Sequence, residues 1–575
     1  MQRLLIPVIA LLLSRSAFAL QVKVEIEGLE REQERNARIF LSIEQEKDRP
    51  GLSRSRLRLL HRKAPEEIRR ALQPFGYFQP RIESDLSNEA ETETWIARYR
   101  VEPGDRARLR EVDFRIDGEG AGDPLLQEVF DLAPGDRLDP VHYEKIKQSL
   151  LSLALQLGYL DAAYRVHEVR VERESGGASI RLYLDTGPRY RFGEIRFRQD
   201  ILDPDYLARY LSFGSGDPYS HEKLLDLQAK LIDSEYFRQV EVHPRRDQAQ
   251  EGHIPVDVDL QPNKKNRYRI GLGYSTDTGP RLTLDWKRRR VGREGHRMHS
   301  QLRLSKPQRS LSSEYIIPLE RPTVDYLSFG ATLESYDTEP SKGDKALLNV
   351  SHSIGLERGW RRTLSLDYLY EDFVVGAQDD NARLLVPGVT WSRIKGGGVE
   401  YVKRGMRLEL HFEGAAETLL SSTSYLQAYT TDKFIHSLSD DWRLLARLDL
   451  GATWVRDLPD LPPSKRFYAG GDNSVRGFGY QDLGPRDENG DVIGGRYLAV
   501  GSLEAERRLW GNWSAALFFD AGNAYDPGYD AEIAYGAGLG LRWRSPVGPI
   551  RFDLASGHCR DERTLRLHIV LGPEL

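Results

Sequence analysis

Three charged residues are spaced so that they can hold one another. Arg476 lies in the run Ser474-Val475-Arg476-Gly477-Phe478, within a glycine-rich stretch that opens at Gly470. Glu504 follows Gly501-Ser502-Leu503, and Asp520 lies in Phe518-Phe519-Asp520-Ala521-Gly522. Phe518, Asp520 and Gly522 share parity, so the two-residue period of a strand puts them on one face. A turn centred near Gly511 would set Glu504 opposite residue 518 and Asp520 opposite residue 502, as diagonal neighbours. Two carboxylates so close repel, and a planar guanidinium is the partner that suits both. The chemistry is ionic anchoring rather than bond making. The same residue types would also suit a solvated surface cluster, because exposed ion pairs are common and weak.

Other motifs carry less. Cys559 is the single cysteine, and His558-Cys559-Arg560-Asp561-Glu562 is read as a loop tip rather than a nucleophile site. Asp487-Glu488-Asn489-Gly490-Asp491 lacks the spacing to a final glutamate that a calcium loop needs. Gly536, Gly538 and Gly540 alternate regularly with apolar residues and form one face of a strand, not a dinucleotide loop. The expectation is a protein that is not an enzyme, with no catalytic residues, no cofactor and no metal. A net charge of −5 gives no case for nucleic acid.

The elements that must position Arg476 are a long loop, 457–495, and the strands around it. Loops of that length inside a compact domain are usually functional or disordered, and the aromatic content of this one favours a loop folded back onto something. From Arg267 onward the hydrophobic period is two. Trp442, Leu444, Ala446, Leu448, Leu450, Ala452 and Trp454 face one way, and Arg443, Arg447, Asp449 and Thr453 the other. Such runs exceed the length of sandwich strands, and their charged faces need water. A wet lumen and a lipid exterior explain both faces, with tryptophans at the aromatic girdles. About sixteen such runs are counted, the even number a barrel requires.

Residues 20–265 repeat instead. Phe75-Gly76-Tyr77, Leu157-Gly158-Tyr159 and Ser234-Glu235-Tyr236 each close an amphipathic helix, at a period of roughly eighty residues, too long for a solenoid. Three tandem α+β domains are predicted, at 20–104, 105–188 and 189–265, followed by an antiparallel transmembrane β-barrel at 266–575. Residues 1–19 read as a signal peptide: Arg3, an apolar run Leu4 to Leu13, and an Ala17-Phe18-Ala19 cleavage site.

In order and in context, the Val475-Arg476-Gly477-Phe478 loop, the Phe518-Phe519-Asp520-Ala521-Gly522 strand and the Ser502-Leu503-Glu504 strand resemble the Omp85 family of outer-membrane barrels. In that family the loop folds into the lumen and its arginine meets acidic wall residues, here Arg476 with Glu504 and Asp520. The repeats resemble the family's POTRA domains, which receive polypeptide or partner proteins; a rigid spacer is the plainer reading of them. Three such domains and the ending Leu571-Gly572-Pro573-Glu574-Leu575 look like the TamA branch. The resemblance implies a Gram-negative outer-membrane location with the soluble domains in the periplasm. It also implies assembly of outer-membrane proteins such as autotransporters, contact with outer-membrane lipid, and a TamB-like inner-membrane partner. Two alternatives stay open: a two-partner-type secretion pore and a phospholipid conduit.

Closure would bring Ile270-Gly271-Leu272-Gly273 of the first strand beside Ile569-Val570-Leu571-Gly572 of the last. Glycine weakens strand pairing and Pro573 removes a ladder donor, so a seam that opens sideways is expected. The simpler reading is that glycine relieves crowding where the barrel closes.

Overall fold

The computed structural model describes residues 20–89, 94–172, 176–396, 402–529, 532–545 and 548–571. The segment 1–19, read above as a signal peptide, and Gly572 lie outside them. The amino-terminal part holds three sheets of three strands, each with helices between its first and second strands. In the first two sheets the first strand runs parallel to the central one and the second runs antiparallel to it on the far side.

Their helices form for legible reasons. Pro140 opens the helix Pro140–Gln156 at a position where its missing N–H is not needed, and the Asp139 side chain accepts from the Val141 and His142 amides. Tyr143, Ile146, Leu150 and Ala154 make the buried stripe. In the first repeat Leu57, Leu60, Ala64 and Ile68 of the helix Arg54–Leu72 pack on Ala97, Tyr99 and Val101 of the central strand.

The three repeat junctions share a backbone feature. The residue before each tyrosine has positive φ: Gly76 at 84°, Gly158 at 98° and Glu235 at 60°. A β-carbon makes that conformation costly, so a glutamate in the slot marks a position held by something else. The Glu235 carboxylate lies 3.3 Å from Arg267, 3.0 Å from Lys287 and 3.5 Å from Arg289, on the first two barrel strands.

Sixteen antiparallel strands follow, in sequence order, and close into a barrel. The first is Asn266–Ser275, the eleventh Trp442–Val455, the twelfth Tyr497–Trp510, the thirteenth Trp513–Tyr525, and the last Glu562–Leu571. Alternation sets what each face meets. On the eleventh strand Trp442, Leu444, Leu448, Leu450 and Trp454 are exposed on the outside, while Arg443 and Thr453 are buried within. No helix among the described residues is long and apolar enough to cross a membrane. The barrel supplies the crossing.

Candidate functional site

The loop 457–495 packs against the inward faces of the barrel strands, and Arg476 is its central anchor. Its Nε donates to Asp520 Oδ2 at 2.7 Å and one terminal nitrogen to Asp520 Oδ1 at 2.9 Å, a bidentate grip. The other terminal nitrogen donates to Glu504 Oε2 at 2.7 Å and to Asp553 Oδ2 at 3.2 Å. The Arg476 backbone N–H also donates to Asp520, at 3.1 Å. Register explains the convergence: Ser502 pairs with Asp520 and Glu504 with Phe518 across the twelfth and thirteenth strands.

Each residue of the strand run has a separate task. The Phe518 ring lies under the guanidinium, 3.5 Å from centroid to Cζ, which offers the cation a π-face. Asp520 supplies the bidentate acceptor. A β-carbon at Gly522 would collide with the Ala499 carbonyl, so only glycine lets the neighbouring strand approach there. The rest of the loop motif is equally placed. Val475 and Phe478 are buried with Ala469, Leu483, Val500 and Ala534. Ser474 Oγ accepts from the Gly470 amide at 3.1 Å, and the Gly477 carbonyl accepts from Thr564 at 2.6 Å.

The sequence reading missed two of the five charged members of this cluster, Arg542 and Asp553. Arg542 donates to Glu504 at 2.7 Å and to Asp553 at 2.5 Å, so two guanidiniums share three buried carboxylates. The signal was parity. Gly536, Gly538 and Gly540 lie on the same strand face as Arg542, and that face is inward. Gly536 is where the loop rests, since a β-carbon there would strike the Arg476 carbonyl oxygen. Two further anchors also went unread. Lys465 donates to the buried Glu413 at 2.6 Å, and Ser464 to Glu371. Arg466 donates to the Leu461 and Ile493 carbonyls at 2.8 and 3.1 Å.

A fourth anchor is at the barrel seam. Asp472 is buried and accepts from Ser275 Oγ, from Thr276 Oγ1 at 3.0 Å and from His568 Nδ1 at 2.5 Å. The Asp472 N–H donates to Asp277 at 2.5 Å. Asp277, Asp472 and His568 have ligand atoms within 4.8 Å of one another, near enough to share a cation. His568 Nε2, however, accepts the Gly477 N–H at 2.9 Å. That bond leaves the imidazole proton on Nδ1, facing Asp472, where a metal would need a lone pair. The trio is built as a hydrogen-bonded group.

The seam differs from the expected pairing. Among the described residues the first and last strands share a single residue pair, Ser275 with Val570, extended by the Thr276 N–H donating to the Ile569 carbonyl at 3.1 Å. Ile270, Gly271, Leu272 and Gly273 pair only with the second strand, and Leu571 has no partner on the first. The last strand meets only the far end of the first, where Asp472 and His568 engage it. The side chains Ile270 and Leu272 are 72% and 78% exposed.

Residues 294–574 match the Omp85 superfamily domain and residues 23–103 the POTRA domain TamA domain 1. The outer membrane protein assembly factor BamA of Nitratidesulfovibrio vulgaris is 26% identical over 395 residues, 64% of this chain and 49% of that protein. BamA of Neisseria meningitidis is 23% identical over 563 residues, 85% of this chain and 69% of that protein. This chain therefore spans about half the length of the first relative and about two thirds of the second. The crystal structure of BamA from Haemophilus ducreyi lacking POTRA domains 1-3 superposes with a TM-score of 0.68 at 16% identity, over 81% of this chain and 99% of that one, which shows a shared fold. The barrel and the POTRA domains are those of an outer-membrane protein with its POTRA domains in the periplasm. Carrying the family's domain on its barrel and a TamA-type POTRA domain near its amino end, the chain is a member of the Omp85 superfamily.

Proposed function

We propose that this protein inserts outer-membrane proteins by offering the open edge of its first barrel strand as a template. The observation that carries this is the seam, which among the described residues has one residue pair. An unpaired strand edge beside lipid is costly, because hydrocarbon supplies no hydrogen-bond partner. The same edge is a ready site for strand addition. Among the described residues, the edge of the first strand that faces the last strand has no partner from its POTRA-side end up to Ser275. A client strand arriving from the periplasm therefore meets free N–H and C=O groups first and the closing pair last. Insertion of the client hairpin requires that pair to part.

The relatives named as assembly factors support the same reading. The domains are assigned as three POTRA units at 20–104, 105–188 and 189–265 and a barrel at 266–575. The inner loop with Arg476, Glu504, Phe518, Asp520 and Gly522 is assigned a structural role, stiffening the wall at the twelfth and thirteenth strands. The TamA-type first POTRA domain supports a TamB-like partner anchored in the inner membrane, and autotransporters as one class of client. No covalent bond is made or broken in this mechanism.

The test is reconstitution. The full chain in vesicles of outer-membrane phospholipid is mixed with a urea-unfolded small barrel, and folding is followed by heat-modifiable gel mobility. Template-assisted insertion predicts faster folding than in empty vesicles. Equal rates in the two would overturn it.

A further inference from the structure

We infer that Asp472 and His568 form a latch that holds the seam closed from inside the barrel and couples the inner loop to it. Its significance for insertion rests on the seam reading above; its geometry does not. One buried carboxylate reaches both sides of the seam. Asp472 accepts from Ser275 and Thr276 at the end of the first strand and from His568 on the last. The backbone at the same place contributes the Ser275–Val570 pair, the Thr276 to Ile569 bond and the Ile569 N–H, which donates to Thr276 Oγ1 at 3.0 Å. The side-chain bonds thus rival the ladder that they supplement.

His568 extends the coupling. It is 2% exposed, and its second nitrogen accepts the Gly477 N–H, beside Arg476 in the central anchor. The loop therefore grips the last strand at two points through one imidazole. Parting the strands must break the bonds of Asp472 on one side or the other. A shift of the loop at Gly477 must move His568. Neither motion is independent, and Asp472 is the positioning residue that joins them.

The full chain in lipid nanodiscs, with no client present, provides the test by hydrogen exchange. In Asp472→Ala, peptides covering 274–277 and 566–571 are expected to exchange about tenfold faster, the effect of losing a charge-assisted buried acceptor. Peptides covering 500–522, at the Arg476 anchor, are expected to stay as protected as in the parent. Asp472→Ala/His568→Ala is expected to raise exchange by less than the two single effects combined, because both substitutions break the shared Asp472–His568 bond, although His568→Ala also frees the Gly477 N–H. Should Asp472→Ala fail to assemble, Asp472→Asn gives the same comparison with a smaller increase. Unchanged exchange at both seam peptides would overturn the latch, and so would additive effects of the two substitutions. Since no client is involved, loss of the latch leaves the insertion reading standing, and failed insertion leaves the latch standing.

Discussion

The guanidinium of Arg476 lies over the ring of Phe518, its Cζ 3.5 Å from the ring centroid, and grips both oxygens of Asp520, two residues further along the same strand. Burying an ion group of this kind is costly unless every partner is present, so truncation should cost far more than exchange. Arg476→Ala leaves Asp520 and part of Glu504 uncompensated and should destabilise the barrel by about 3–5 kcal/mol. Arg476→Lys keeps the charge but loses the bidentate geometry and the planar stack, and should fall between. Phe518→Leu should cost about 1–2 kcal/mol as the desolvated cation loses its π-face. The temperature at which the folded band disappears in heat-modifiable electrophoresis ranks the three.

Two glycines separate backbone approach from side-chain chemistry. Gly536→Ala puts a β-carbon into the Arg476 carbonyl and should lift the loop, with loss of heat resistance comparable to Arg476→Lys. Gly501→Ala meets nothing within 4 Å and should be silent in the same assay.

Asp277, in the turn beyond the first strand, gives a pH dependence. Burial, then the charge of Asp472, pushes its carboxyl up from 3.8 to about 6, while His568 and Arg566 pull it down. Tyr480 also faces it. A raised acid binds its proton more tightly folded than unfolded. Its penalty is therefore absent below about pH 4 and complete above about pH 6. Acidifying from pH 7 to 5 should slow exchange in the turn 276–278. Asp277→Asn should already exchange slowly at pH 7 and respond less to acid, with a stabilisation of at most about 3 kcal/mol. The difference between the two proteins cancels the intrinsic slowing of amide exchange in acid. If the two respond to acid alike, Asp277 is not the group responsible.

Glu235 pays for a left-handed backbone in order to reach three cations on the barrel. Glu235→Gly should relieve about 1 kcal/mol of strain while loosening the junction. Global stability should barely change, and exchange over 263–268 and 286–290 should rise. Added salt should loosen the parent at the same place, because these carboxylate contacts are partly exposed and screened.

Much of this arrangement was legible in the sequence, and the reason is periodicity. Period two on either side of the Gly511-Asn512 turn fixes which residues of the twelfth and thirteenth strands face each other, and Ser502 is found opposite Asp520. Arg542 obeys the same parity on its own strand, but nothing local says that its face meets a loop from elsewhere. The Asp472–His568 contact spans 96 residues and joins a loop to a strand, and no period relates the two. The register of the seam was not legible for a similar reason. Glycines mark weak pairing but not register, and here the register follows side-chain contacts at Ser275 and Thr276.

Insertion through the seam is tested most directly by locking it. Ser275→Cys and Val570→Cys, the one facing pair, are combined with Cys559→Ser, oxidised, and reconstituted with an unfolded small barrel as client. If the seam must part, the oxidised protein should lose its acceleration of client folding and a reductant should restore it. Undiminished acceleration by the locked protein would contradict insertion through the seam and favour a fixed pore or docking platform.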